Sequence, residues 1–350
     1  MARRKRVNRG GRVFAALLLL GVLTIAGLGW WLRTPYAGFA LPLRIEVARG
    51  AGLKGIAESL AANGVIRHPL QLLLIRALRP KATLQAGEYR FREPASAWTV
   101  FDRIARGDIF VYEVTFPEGS NLFDMGRIVG EQTHIRAEDF ISAASDAHPI
   151  RDLDPHAPSL EGYLFPATYR VTRTTTAQSL VREMLSTFRK TWKEVRGGGD
   201  IHRIVTIASL VEKETALPSE RPTVASVYFN RLSRDMKLEC DPTTIYAAVI
   251  ERRYDGIIHK SDLENRNPYN TYQHAGLPPG PIANPGRRSL EATLRPASTQ
   301  FLYFVARPDH SGGHVFTTNA GDHLRAVAQY RRGNQKGKTQ GASSPAITVR

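Results

Sequence analysis

Val13 to Leu32, VFAALLLLGVLTIAGLGWWL, runs for twenty residues without a charge. As a helix at about 1.5 Å per residue, a run of that length spans the roughly 30 Å hydrocarbon core of a bilayer. Six basic residues and no acid precede it, in MARRKRVNRGGR. Trp30 and Trp31 sit at its far end and Arg33 follows, as at an interfacial aromatic belt. The basic flank predicts a cytoplasmic N-terminus, with everything after residue 33 delivered outside. A cleaved signal peptide fits less well. The apolar run is longer than an ordinary h-region, and WWLRTPYAGFA offers a poor small-residue cleavage site. No second apolar run of this length follows, so the chain is expected to cross once.

That placement changes how the charge is read. The net charge is +16, but the first twelve residues hold six basic groups and the last twenty hold five, with no acid in either. Residues 13–330 therefore carry only +5, which speaks against a nucleic-acid-binding surface on the folded part. The single cysteine, Cys240, permits no internal disulfide, suits an oxidising compartment, and reads as a small packing residue.

Beyond the apolar run, RIEVARGAGLKGIAESLAANGVI reads as strand, glycine turn and amphipathic helix, with Leu53, Ile56, Ala57 and Leu60 on one face. Residues 69–79 read as a second helix. AGEYRFR alternates as a strand does, and AWTVFDRIARG ends a helix at Gly107. EVTFPEGSNLFDMGRIVGEQTHI then repeats the opening pattern 69 residues on: Gly50 aligns with Gly119, Leu53 with Leu122, Ile56 with Met125 and Ile66 with Ile135. Two such small units are expected to pack together. The Pro-, Asp- and His-rich segment 147–158 marks an expected boundary.

The larger region beyond it holds IASLVEKETALPSER, residues 207–221. A helix over His202–Thr215, with Asp200 as N-cap, places Ile204, Ile207, Val211 and Glu214 on one stripe. Glu212 lies about 200° around the helix from Glu214. The two acids cannot face one another across a single site, so one is expected to work and the other to pair or cap. A glutamate at the edge of an apolar face is desolvated and stays protonated near neutrality, as a general acid for glycosidic cleavage must. Against this, exposed or ion-paired glutamates on helices are common, with Arg221 and Lys213 as candidate partners. Five further segments, LEGYLFPATYRV, VYFNRL, LECDPTTIYA, NPYNTYQHAGLPPGPIANPG and LYFVARPDHSGGHVFTTN, are dense in Tyr, Asn, Thr, Gly and Pro. Tyrosines among amides and hydroxyls suit stacking on sugar rings, which favours a carbohydrate cleft.

In that order, LEGYLFPATY, ASLVEKET, SVYFNRL, CDPTTIY, YNTY, GLPPGPIANPG and LYFVA…GGHVFTTN resemble the YceG-like (MltG) family of endolytic murein transglycosylases. The resemblance runs from the apolar segment to about Tyr330. It implies an α+β protein in which the cytoplasmic basic tail (1–12) and transmembrane helix (13–33) are followed by a LysM-like membrane-proximal module (44–146) and a mixed α+β catalytic domain (159–332); the tail at 333–350 lies outside the resemblance and, with too little apolar content to fold, is expected to be disordered. It also implies a single-pass inner-membrane enzyme with its catalytic domain in the periplasm. Such an enzyme cuts nascent glycan strands between N-acetylmuramic acid and N-acetylglucosamine. It leaves a 1,6-anhydro-muramic acid end and so terminates elongation.

The family's catalytic acid is the second glutamate of E-K-E-T, here Glu214, acting first as general acid and then as base. Glu161, Glu212, Asn230, Asp241, Tyr269, Asn270 and Tyr272 match motif positions as substrate-binding or supporting residues. Each also has a structural alternative: Asn230 and Asp241 as helix caps, Glu161 as a loop holder. Cys240, next to the D-P pair, looks like a replaceable neighbour. The resemblance implies no cofactor and no metal. Peptidoglycan glycan strands are the implied substrate, and peptidoglycan synthases (penicillin-binding proteins) are candidate partners. A hydrolysing muramidase and a non-catalytic wall-binding scaffold are the alternatives. The scattered histidines, among them His148, His156, His310 and His314, show no metal-ligand spacing, and RGGGD lacks the Lys and Ser/Thr of a phosphate loop.

Overall fold

The computed structural model describes residues 9–309 and 311–339. Most of the basic tail expected at 1–12, and residues 340–350 of the expected disordered tail, lie outside the described residues. The architecture is mixed α+β, with thirteen helices and three two-stranded sheets among the described residues. It divides into two compact units: residues up to Tyr112 together with Thr172–Thr174, and the remainder.

In the first unit, α1 (Arg9–Arg33) contains a segment, Gly11–Arg33, long and apolar enough to cross a membrane, with a mean hydropathy of 2.3 and no burial within the protein. Only its last turn joins the core. Leu32 is buried there, and the Arg33 guanidinium lies 4.7 Å from the Trp98 ring centre. The unit continues with β1 (Leu43–Val47), α2 (Leu53–Ala62), α3 (Pro69–Leu78), β2 (Gly87–Phe91) and α4 (Ala97–Arg106). β1 and β2 pair antiparallel, with Ile45 opposite Tyr89. Ile45, Val47, Tyr89 and Phe91 alternate inward onto Ile56, Ala57 and Leu60 of α2, as the period of two predicts. Ser96 caps α4 by accepting from the Thr99 N–H, and Gly107, in the left-handed region at φ 68°, ends it.

The second unit runs through β3 (Tyr112–Thr115), α5 (Leu122–Gln132), α6 (Ala137–Ser145), β4 (Thr168–Val171), α7 (Ala177–Glu194), α8 (Ile201–Glu214), α9 (Arg221–Leu232), α10 (Asp241–Ile250), α11 (Lys260–Glu264), α12 (Arg287–Leu294), β5 (Tyr303–Ala306), β6 (His314–Thr317) and α13 (Ala320–Thr339). α8 is flanked by α9, α10 and α12. This is why its sequence is apolar almost all round: Val205 to Val211 are buried without interruption.

Three findings differ from the expectation. The repeat is real as local geometry, since Gly50 and Gly119 both adopt φ 77° ahead of helices starting at Leu53 and Leu122. Yet the two copies belong to different units. Each helix finds its partner in the segment that follows it: α2 packs on α3, and α5 on α6. The division also falls earlier than segment 147–158. That segment is polar because it supplies buried partners: Asp154, 1% exposed, accepts from the Tyr163 hydroxyl and bonds His202 Nδ1 at 2.8 Å. In addition, α13 continues to Thr339, past the start of the tail expected to be unstructured.

Candidate active site

Asp200 caps α8, accepting from the Arg203 N–H at 3.1 Å, and the helix delivers Glu212, Lys213 and Glu214 in its last turn. Ile207, Leu210 and Val211 anchor that turn in a core shared with Val224, Ala225 and Tyr228 of α9. Glu214 continues the buried stripe; the residue as a whole is partly exposed, while its carboxyl is desolvated. Its Oε1 lies 3.1 Å from Cys240 Sγ, and the Tyr228 phenol is a second hydrogen-bond partner. Burial pushes the Glu214 carboxyl above the usual carboxylate range, and the neighbouring Asp241 pushes the same way. Hydrogen bonds from Cys240 and Tyr228, with the His314 ring, oppose them without cancelling the rise.

Glu212 faces other partners. It bonds Arg221 at 2.8 Å and accepts from the Gly286 N–H at 2.9 Å, with its side chain 4% and that of Arg221 8% exposed. Such a pair is structural, because removing one charge strands the other in a dry environment. Glu212→Gln keeps only one of the two acceptor contacts, turns an amide NH2 toward the other donor, and loses the charge. It is expected to cost about 2 kcal/mol of stability, read by thermal denaturation. Its loss of activity should be smaller than that of the equivalent change at Glu214.

Glu161 is 1% exposed. It accepts from the Leu122 N–H (2.9 Å), the Tyr246 hydroxyl (3.1 Å) and Asn284 Nδ2 (2.8 Å). It ties the first turn of α5 to α10 and to the PIANPG loop. Burial pushes its carboxyl up to about 8, although these donors pull the other way. Asn270 is fully buried and holds its own loop: Nδ2 donates to the carbonyls of Asp262, Leu263 and Asn265, and Oδ1 accepts from the Tyr272 N–H. Asn230 does not cap a helix; from within α9 it donates to the Thr299 and Phe301 carbonyls. Asp241 is the first residue of α10 and accepts from the Tyr272 hydroxyl at 2.7 Å. Its carboxyl is raised, mainly by burial. Tyr269 is partly buried against Tyr246, with ring centres 4.9 Å apart. Of these residues, the structure brings Asp241 and Tyr272 beside Glu214, whereas Glu161, Asn230 and Asn270 are spent on holding loops.

The tyrosine-rich segments are not simply a sugar-stacking surface. Tyr163, Tyr169, Tyr228 and Tyr246 are buried, their rings in the core and each hydroxyl bonded internally. The aromatic payload explains the burial and the phenol tip explains the bonds. Sequence reasoning missed Asn284 altogether. Its Oδ1 accepts from the Gly162 and Leu164 N–H groups at 2.9 Å each, and its Nδ2 donates to the Ser120 carbonyl at 3.0 Å as well as to Glu161. It missed Tyr228 and Cys240 too, because no local spacing shows that Cys240 reaches back to Glu214.

Glu161, Glu214 and Asp241 all carry carboxyls raised in the folded state. An acid of this kind keeps in the fold a proton it would release on unfolding. Its contribution to stability is full below the unfolded carboxyl range and is lost as pH rises through the folded pKa. The melting temperature is therefore expected to fall between about pH 5 and pH 8. A melting temperature that climbed across that window would show these carboxyls ionised in the fold.

The chain belongs to the YceG-like family, whose model matches residues 45–329. An endolytic murein transglycosylase of Bacillus subtilis (strain 168) is 31% identical over 309 residues, covering 82% of this chain and 84% of that protein. An endolytic murein transglycosylase of Streptococcus pneumoniae serotype 2 (strain D39) is 28% identical over 321 residues; the match covers 82% of this chain and 58% of the longer relative. The crystal structure of a YceG-like protein from Listeria monocytogenes, 28% identical, superimposes with a TM-score of 0.53 over 81% of this chain and 98% of that one.

Proposed function

We propose that this protein is an endolytic lytic transglycosylase that cuts peptidoglycan strands between N-acetylmuramic acid and N-acetylglucosamine, leaving a 1,6-anhydro-muramic acid end. The observation that supports it most is Glu214: a partly exposed residue at the end of a core helix, with its carboxyl raised by burial. One such acid suffices. Glu214 protonates the glycosidic oxygen as the bond to the departing N-acetylglucosamine breaks. The carboxylate so formed takes the proton of the muramic acid 6-hydroxyl, whose oxygen closes on its own anomeric carbon. An ordinary glycosidase needs a second carboxylate, as water activator or nucleophile. The candidates for that role are Glu161, which is occupied by Leu122, Tyr246 and Asn284, and Asp241, which accepts from the Tyr272 hydroxyl and is raised by burial.

Mass spectrometry of fragments released from purified sacculi tests the reading. Lytic cleavage gives ends one water lighter than hydrolysis does. Reducing muramic acid ends would instead establish a hydrolase, and no released glycan would favour a wall-binding scaffold.

On the same proposal α1 anchors the enzyme, with its basic start in the cytoplasm and the rest in the periplasm. Residues 44–146 provide the LysM-like wall contact, and the synthases that extend glycan strands are the partners whose product is cut. A compartment-sensitive reporter fused after Tyr330 is expected to be active outside the cytoplasm. A cytoplasmic signal would remove the wall from reach.

A further inference from the structure

Cys240 sits immediately before α10, buried, with its backbone tied on both sides. Its N–H donates to Thr271 Oγ1 at 3.0 Å, and its carbonyl accepts from the Thr243 hydroxyl at 2.7 Å. The side chain is therefore aimed rather than free. Its Sγ lies 3.1 Å from Glu214 Oε1, and the buried Tyr228 hydroxyl donates to the same sulfur at 3.4 Å. The thiol thus meets the carboxyl at Oε1, while the phenol touches the sulfur and is itself a second partner of the carboxyl. A neutral carboxylic acid has one oxygen that accepts and one that bears the hydrogen. A donor aimed at Oε1 makes Oε1 the accepting one.

We propose that Cys240, held by Tyr228, is a positioning residue for Glu214: its S–H fixes Oε1 as acceptor, leaves the transferable proton on Oε2, and stays in place as a donor to the carboxylate formed when that proton departs. This rests on the reading of Glu214 as the general acid. In the step itself the Oε2–H bond breaks, the proton goes to the glycosidic oxygen, and the electron pair remains as carboxylate charge shared with Oε1. Cys240 keeps its hydrogen throughout, and nothing is oxidised. Burial and the Glu214 carboxyl push the Cys240 thiol well above its usual range, which holds the hydrogen on sulfur. Besides Cys240 and Tyr228, the groups that act on Glu214 are Asp241 of α10 and His314 of β6, and Tyr272 in the YNTY loop senses its charge in turn.

A donor to the ionised form lowers an acid's pKa, so removing it raises the pKa. Infrared titration of the full chain in detergent, with Glu214→Gln as the subtraction that assigns the band, reads the Glu214 midpoint without substrate. Cys240→Ala is expected to raise the midpoint by about half a unit. Cys240→Ser, which keeps a donor, should leave it near the wild-type value. Should Cys240→Ala fail to fold, Cys240→Val removes the donor while keeping a buried side chain of similar size, and it is expected to shift the midpoint the same way. In glycan release, Cys240→Ala should lower kcat by roughly 3–10-fold with KM unchanged, and Cys240→Ser should recover most of it. A midpoint that moves while even the wild-type chain releases no anhydro glycan would uphold the positioning and sink the proposed activity. Anhydro release by the wild type, with a midpoint unmoved when the Cys240 donor is removed as Cys240→Ala or Cys240→Val, would overturn the positioning.

Discussion

Glu214→Gln is expected to lower the release of anhydro-ended glycan from sacculi by ~10²–10⁴-fold while the melting temperature stays close to that of the unaltered chain. The two halves of this result come from the same geometry. Gln has the size of a protonated Glu and keeps a carbonyl oxygen to accept from Cys240. Burial favours the neutral form of this carboxyl, and Glu214 is in no ion pair among the described residues, so a neutral amide removes none. What the amide cannot do is give up a proton and later take one back. Sustained release by Glu214→Gln, or an equal loss in Glu212→Gln, would show that the acid is elsewhere.

Asn284→Ala should be the most damaging single change to the fold of the second unit. It leaves the Gly162 and Leu164 N–H groups, the Ser120 carbonyl and one oxygen of Glu161 without the side-chain partner they have, all in a buried setting. The Ser120 carbonyl keeps its bond from the backbone N–H of residue 284 at 2.9 Å, so three groups are orphaned at about 1–3 kcal/mol each and a total of at least about 3 kcal/mol is expected. For a unit of this size that is a fall in melting temperature of at least roughly 6 °C. Asn284 also sets where Glu161, and with it the first turn of α5, meets α10. Activity should therefore fall with stability and not ahead of it. A melting temperature within about 2 °C of wild type would mean that water or a shifted loop replaces the amide.

Local pattern determined a good part of this protein. The charge-free run Val13–Leu32 could become only a long apolar helix, and it forms most of α1. Period-two burial placed β1 and β2, and glycine marked the ends and turns at Gly107, Gly50 and Gly119. The helical period, with Asp200 as its cap, put Glu214 on the buried stripe of α8 and turned Glu212 away from it. These are short-range consequences of backbone geometry, and they hold whatever surrounds the segment.

The partners of those residues were decided by packing alone. Glu214 meets Cys240 across 26 residues of chain, Glu212 meets Gly286 across 74, and Glu161 meets Asn284 across 123. No periodicity spans such distances. A cysteine that reads as an inert neighbour of D-P becomes a donor to the acid. Tyrosines that suggest a sugar-binding surface go inside, because burying their rings is favourable once their hydroxyls find partners. The two copies of the strand–helix repeat keep their shared local shape yet join different units, since hydrophobic faces pack against whatever neighbour covers them and not against their nearest likeness.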